Sequence, residues 1–386
     1  MQIRDQHRAI VTVILGAGAS RAVSYAEGGE GCSAADFGPK MPSPLDSDFF
    51  DLLQQIEAQT KDGATKEAMK RIISKVLRWR GDPLWQSMEK MFYSLHVSAV
   101  LEYLLFDTDT SQDLGRQVVE DFLASTRALL AEAHGSRASV KHQLLLDELD
   151  QADAVLTFNY DFVAERALAD RFGGAPFEGT QFGDWFYGLS DRTESAPSDI
   201  PTLYKLHGSL NWRLEEDDKG ETQNARRDWP TTWAGFSQEL EYIPCERQGY
   251  EVDPRWRPPV LLPYWDKRVE KGLWLKIWKG AAAQLRQTDS LIVWGYSLPT
   301  TDLKARELIR LAFRPGAKLS KVAVIDPSSE TQDRWRSMFL DKQFWRFRNY
   351  EEFYAFTKRY STILAPFRSI DARSEIQGTL KRKVLL

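Results

Sequence analysis

The chain has 386 residues, of which 42% are hydrophobic and 27% charged, proportions that exclude a disordered or collagen-like chain. That length corresponds to roughly two to three domain-sized units of about 150 residues each. Lys and Arg number 51 and Asp and Glu 55, a net charge of −4, and this near balance argues against a surface that coats nucleic acid or an anionic membrane.

Ala9–Leu15 (AIVTVIL) is short, β-branched and continuously apolar, and reads as a buried parallel strand. Gly16-Ala17-Gly18-Ala19-Ser20 follows at once, and residues 28–44 read as loop. From Pro44 to Ala58 the apolar residues recur on one side, as in a helix. Residues 65–150 continue as helices, clearest at Val97–Phe106 and Val118–Ala133, and form a helical insertion. The strand signal returns at Ala154–Phe158. A helix is expected over Asp161–Phe172, then a short strand at Tyr204–Leu206. Residues 212–265 are charged, rich in Pro and Trp and without a clear period, an irregular insertion. Trp274–Leu285 reads as a helix, Ser290–Trp294 as a strand, Thr301–Phe313 as a helix and Val322–Ile325 as a strand. The expected fold is α/β, a Rossmann-like doubly wound parallel sheet carrying the two insertions. We expect residues 1–350 to form that domain, and 351–386 a C-terminal helix and a basic tail.

Two cysteines, Cys32 and Cys245, make neither a disulfide framework nor a four-thiolate zinc site. They fit a reducing, cytoplasmic compartment. No apolar run approaches the roughly 18 residues that span a bilayer. Ala9–Leu15 lacks a cleavage site and is not read as a signal peptide. Many of the 13 tryptophans lie between Trp185 and Trp278, where core filling is the plainer reading and an aromatic interface the other.

Five segments carry candidate chemistry. Gly16–Ser20 places bare backbone N–H groups at a helix N-terminus, which attracts a pyrophosphate. Gly16 allows the turn and Gly18 close approach of the ligand, but Arg21 stands where the dinucleotide fingerprint has its third glycine. The alternative is a tight turn with no ligand. Asn159 and Asp161 follow a strand, as ligand contacts or as helix caps. His207 stands between a strand end and Gly208, a place for a general base or for a satisfied loop histidine. His7, His96, His134 and His142 read as surface or packing residues. Gly295 and Ser297 suit phosphate or ribose, with Asp302 a contact or an N-cap. Asp326, at a later strand end, suits both hydroxyls of a ribose, or else an Asp-Pro turn. All five segments fall at successive strand ends on one sheet edge, which independent caps do not explain.

GAGAS (Gly16–Ser20), TFNYD (Thr157–Asp161), KLHGSLNW (Lys205–Trp212), GYSLPTTD (Gly295–Asp302) and VIDPS (Val324–Ser328) occur in this order. In these motifs the chain resembles the Sir2 (sirtuin-like) superfamily, and most of all its bacterial SIR2-like branch of antiphage defence, whose members hydrolyse NAD⁺. The resemblance covers about half of the chain and omits 65–150 and 212–265. It implies that Gly16, Ala17, Gly18 and Ser20 hold the pyrophosphate and that Asn159 positions water or the nicotinamide ribose. Asp161 would accept from the nicotinamide carboxamide, and His207 would be the base on a ribose hydroxyl. Gly295 and Ser297 would bind phosphate or ribose, and Asp326 the adenosine ribose.

Two departures stand out. The paired CxxC motifs of zinc-bearing sirtuin deacylases are missing, so no metal is implied and protein deacylation is in doubt. Met41-Pro42-Ser43-Pro44-Leu45 stands where sirtuins carry Pro-Asp-Phe-Arg. The expected function is an NAD⁺ hydrolase held in check by homo-oligomerisation or by a HerA-type ATPase partner, with NAD⁺ as substrate. A non-catalytic NAD⁺ or ADP-ribose sensor and a zinc-free deacylase are the alternatives. Asp326 favours NAD⁺ over NADP⁺, because a carboxylate repels a 2′-phosphate.

Overall fold

The structure is a computed structural model. It describes residues 8–23, 41–77, 87–88, 90–92, 94–95, 97–98, 111–134, 139–168, 171, 185–189, 191, 198–210, 212–214, 240–242, 260–261, 269, 272–314 and 316–369. Cys32, Cys245, His7, His96, Asn211, Phe172, most of the 28–44 loop, the Phe106 end of the Val97–Phe106 helix, most of 212–265 and the tail beyond 369 lie outside the described residues.

In chain order the elements are β1 (Val11–Leu15), α1 (Ala17–Arg21), α2 (Phe49–Glu57), α3 (Gly63–Leu77), α4 (Ser111–His134), α5 (Val140–Leu146), β2 (Ala154–Thr157), α6 (Val163–Leu168), β3 (Thr202–Lys205), β4 (Trp212–Leu214), β5 (Leu240–Tyr242), α7 (Gly272–Gln287), β6 (Ser290–Trp294), α8 (Leu303–Ala312), β7 (Lys321–Ile325), α9 (Ser329–Met338), β8 (Gln343–Phe347), α10 (Tyr350–Thr357) and α11 (Ala365–Arg368). Six strands form one parallel sheet in the order β3-β2-β1-β6-β7-β8. Strand order reverses between β1 and β6, the switch point of a doubly wound, Rossmann-like fold.

The central strands are continuously apolar because both faces are covered. β1, β2, β6 and β7 are buried at every residue. β1 begins two residues later than the apolar run suggests, because the main chain of Ile10 is taken up by Asp289 and Ser290. β3 spans Thr202–Lys205 rather than Tyr204–Leu206, with Leu206 and His207 already in a turn. β8 was not expected. The 212–265 segment, read as irregular, contributes the antiparallel pair β4–β5. Trp185, Trp212, Trp274 and Trp278 fill the main core. A second apolar cluster joins α2, α3 and α4 with Phe162 and Leu210, a helical unit with its own interior. Among the described residues no helix is long and apolar enough to cross a membrane.

The C-terminal segment is fastened beneath the amino ends of the strands. Arg368 pairs with the buried Asp153 (Nη2–Oδ2, 2.6 Å), whose other oxygen accepts from Val11 N at 2.8 Å. The Glu148 carboxylate takes Ile363 N and Leu364 N at 2.6 and 2.7 Å. Lys321 Nζ donates to Pro366 O at 2.9 Å, and Ser290 Oγ to Phe367 O at 2.6 Å.

His134 and His142 are both buried packing residues. His142 lies flat on Trp294 with ring centroids 4.3 Å apart, and its Nδ1 is 2.9 Å from Ser139 Oγ. Nε2 has no partner, and burial pushes the imidazole down to about 3. The unfolded chain therefore takes up a proton near pH 6.5 that the native state refuses. The associated stability is present above about pH 6.5 and is lost as pH falls towards 3. His142→Phe, which keeps the stack, is expected to flatten the acid limb of stability by roughly 1.4 kcal/mol per pH unit. Urea unfolding between pH 6.5 and 4.5 checks this, and an unchanged slope refutes it.

Candidate functional site

The last residue of each of five strands lies in one row across the sheet. Leu15 is the register partner of both Thr157 and Trp294, Thr157 of Lys205, and Trp294 of Ile325. The five motifs leave this row within two residues. Gly16, Gly295 and Asp326 follow it directly, and Asn159 and His207 come two residues later. A row of this kind is set by pairing between strands distant in sequence.

At the switch point, the loops after β1 and β6 touch backbone to backbone. Gly16 N donates to Trp294 O and Gly18 N to Gly295 O, each at 3.0 Å, and Gly295 N donates to Ile325 O at 2.9 Å. A Cβ on Gly16 would stand 2.4 Å from Gly295 O, and one on Gly18 2.9 Å from Gly295 Cα. Gly295 has φ +63°, and its Cβ would meet Ala19 N at 2.1 Å. The glycines are thus required by this crossing. The amides of Gly16, Gly18 and Gly295 are engaged within the sheet rim, which corrects the expectation of bare N–H groups there. Ala17 and Gly18 are the half-exposed residues of the turn.

Ser20, Asn159 and Asp161 form a hydrogen-bonded chain. Asn159 Nδ2 donates to Ser20 Oγ at 2.9 Å, and Ser20 Oγ donates to Asp161 Oδ2 at 2.6 Å. Asp161 Oδ1 accepts from Val163 N at 3.1 Å, starting α6, and Asn159 N donates to Thr157 Oγ1 at 3.1 Å. Ser20 is buried and faces this loop, while Asn159 is half-buried. Beneath the loop Lys205, wholly buried, donates from Nζ to the carbonyl of Asp161 and to Glu165 Oε1, the latter at 2.9 Å. Tyr187 OH also donates to Glu165 Oε1, at 3.3 Å. Lys205 carries a role that its motif does not disclose. Its signal was a cation inside a strand otherwise destined for the core.

His207 is buried, with Nε2 3.1 Å from Asp302 Oδ2. Asp302 is also the N-cap of α8, Oδ1 accepting from Ala305 N at 3.4 Å, which is the cap reading of this residue. Tyr296 OH donates to Asp302 Oδ2 at 3.4 Å. The Tyr296 ring stacks on Phe158 at 4.2 Å, and Phe158 meets the His207 ring edge-on at 5.1 Å.

Asp326 is buried at the end of β7, its Oδ1 accepting from Ser328 N at 2.9 Å. Loss of hydration pushes its carboxyl up, against the pull of that N–H and of Arg334. Ser297 is exposed, its carbonyl held by Arg334, and Leu298 beside it has φ +52°. Arg21 pairs with Asp48 and donates to Ser43 O at 3.2 Å, tying α1 to the Met41–Leu45 segment. A separate cavity of about 490 Å³, lined by Trp185, Tyr204, Asp191 and Lys276 among others, contains none of the candidate catalytic or cofactor-binding residues.

No family model and no curated protein matches the chain. Among solved structures it is similar to one on the mechanism and regulation of Sir2 enzymes (13% identity, 89% of this chain and 87% of that one, TM-score 0.35). It is also similar to a Sir2 homologue in complex with NAD (12% identity, 90% and 86%, TM-score 0.32). A third is Sir2 in complex with the inhibitor EX-527, 2′-O-acetyl-ADP-ribose and a deacetylated p53 peptide (12% identity, 92% and 94%, TM-score 0.33).

Proposed function

We propose that this chain is an NAD⁺ hydrolase that cleaves the nicotinamide–ribose bond to give nicotinamide and ADP-ribose. One observation carries the reading. Asn159 and His207 leave adjacent, in-register strands at the same offset, beside the switch point, where ligands of open α/β sheets bind. An amide and a buried imidazole there supply positioning and proton transfer, which a mere binding site does not need. The resemblance of the five motifs to the SIR2-like branch supports the same reading.

In this proposal the adenosine ribose lies at Asp326. The pyrophosphate runs over Gly16, Ala17 and Gly18 past Gly295 and Ser297, and the nicotinamide ribose reaches Asn159 and His207. Ser20 steadies Asn159. Each Asp161 oxygen has a second lone pair beyond its bonds to Ser20 and Val163, so it can still accept from the carboxamide. Nicotinamide is cationic in NAD⁺ and leaves neutral. The oxygen of water, positioned by Asn159, bonds to C1′, and the C1′–N electron pair goes to the nicotinamide nitrogen. The ribose becomes oxocarbenium-like on the way, and His207, acting on a ribose hydroxyl, steadies it. The proton of water leaves to solvent.

Purified protein incubated with NAD⁺ alone, its products followed by chromatography, is expected to release nicotinamide and ADP-ribose in equal amounts. Release only with an acyl-lysine peptide would make it a deacylase. Bound but unconsumed NAD⁺, even with a HerA-type ATPase added, would make it a sensor. Control by self-assembly or by such an ATPase, and a role in antiphage defence through NAD⁺ depletion, belong to this proposal. The assay with and without the ATPase reads the first of these.

A further inference from the structure

The structure assigns Asp302 as the positioning residue of His207: its carboxylate fixes the imidazole as the Nε2–H tautomer and leaves Nδ1 as the atom that takes a proton. The catalytic consequence rests on the hydrolase reading above; the tautomer does not.

The argument is one of hydrogen-bond polarity. A carboxylate only accepts. Asp302 Oδ2, 3.1 Å from His207 Nε2, therefore calls for a hydrogen on Nε2, and in the neutral ring that leaves the lone pair on Nδ1. The Asp302 side chain is itself held. Oδ1 accepts from Ala305 N as the N-cap of α8, and Tyr296 OH donates to Oδ2. The carboxylate is also buried, which strengthens its grip on the N–H. Helix cap and imidazole are thus served by the two oxygens of one side chain.

This division gives a discriminating variant. Asn caps helices as well as Asp does. In Asp302→Asn the cap keeps the amide oxygen on Ala305 N, since turning the amide would set two donors face to face. The NH₂ group then stands where Oδ2 stood and donates to Nε2, forcing the hydrogen onto Nδ1. The helix survives and the tautomer inverts.

The test is ¹⁵N NMR of the full chain labelled at histidine, at a pH where the rings are neutral, with His207→Ala identifying the signal. The wild type is expected to show a protonated Nε2 and a bare Nδ1. Asp302→Asn is expected to show the reverse. Tyr296→Phe, which removes one donor to Oδ2 but leaves the Oδ1 cap bond and the Oδ2–Nε2 contact in place, is expected to match the wild type. With NAD⁺, Asp302→Asn is expected to lower kcat by about 10²-fold or more, with KM changed less than about threefold, because a wrong tautomer removes the base without removing the binding site. A wild-type spectrum with the hydrogen on Nδ1, or an Asp302→Asn spectrum like the wild type, overturns the assignment. The wild-type spectrum alone decides if the variant fails to fold. Since the spectra need no turnover, an inactive wild type would defeat the hydrolase reading and leave the tautomer result standing.

Discussion

His207→Ala is expected to lower NAD⁺ hydrolysis by about 10²–10⁴-fold, the usual worth of a positioned proton-transfer group. Asn159→Ala is expected to do comparable damage through lost orientation of water and ribose. The double variant should be little worse than either single one, because groups serving one step do not add. Neither change should unfold the chain. Asn159 is half-buried and loses its bond to Ser20 Oγ, a cost of about 1 kcal/mol. His207→Ala leaves Asp302 bonded to Ala305 N and Tyr296 OH. Product chromatography beside a thermal melt checks both halves. Near wild-type turnover in both variants, with melts unchanged, would remove Asn159 and His207 from the reacting centre.

Lys205→Met is expected to cost about 3–5 kcal/mol of stability, because it strips the counter-charge from a carboxylate with no route to water. Lys205 and Glu165 are both 0% exposed. Glu165 Oε2 already lacks a hydrogen-bond partner, so after the change Tyr187 OH at 3.3 Å is the remaining bond to Oε1. The Asp161 carbonyl loses its ammonium donor in the same step. Lys205→Met with Glu165→Leu is expected to recover most of the loss, since a matched apolar pair replaces a buried ion pair at little cost. Urea unfolding of the three proteins measures this. A single variant as stable as the wild type would mean that the pair contributes nothing.

The parts of the fold legible in the sequence were those where local pattern and burial coincide. Ser290–Trp294 and Val322–Ile325 are continuously apolar because they run through the middle of the sheet. Trp274–Leu285 shows its helical period because one face meets the core. β8 escaped notice because it is an edge strand: Gln343–Phe347 is only partly buried, and Arg346 is exposed. The pair β4–β5 escaped because Trp212–Leu214 and Leu240–Tyr242 meet only through long-range pairing. The positions of the site and their common sheet edge followed from its motifs, but the residue-by-residue register between them did not. That Thr157 faces Lys205, and so that Asn159 and His207 leave the sheet level, is a fact of strand register. The bond from His207 to Asp302 was equally invisible, since nothing near either residue announces the other. His134 and His142 were open to surface or packing readings, and each sits on the inward stripe of its helix.

The Arg368–Asp153 pair bears on when the amino ends of the sheet can close. Asp153 lies directly before β2, and its charge is met by a guanidinium 215 residues further along. During synthesis the segment bearing Asn159 emerges well before Arg368, the nearest cation to Asp153. Until then Asp153 has Arg8, whose half-exposed side chain brings Nη2 to 3.8 Å from Oδ2, as its cation, and the half-built sheet holds a buried carboxylate without its closest counter-charge. Firm closure of the amino ends of β1 and β2 is thereby coupled to the segment that carries Arg368.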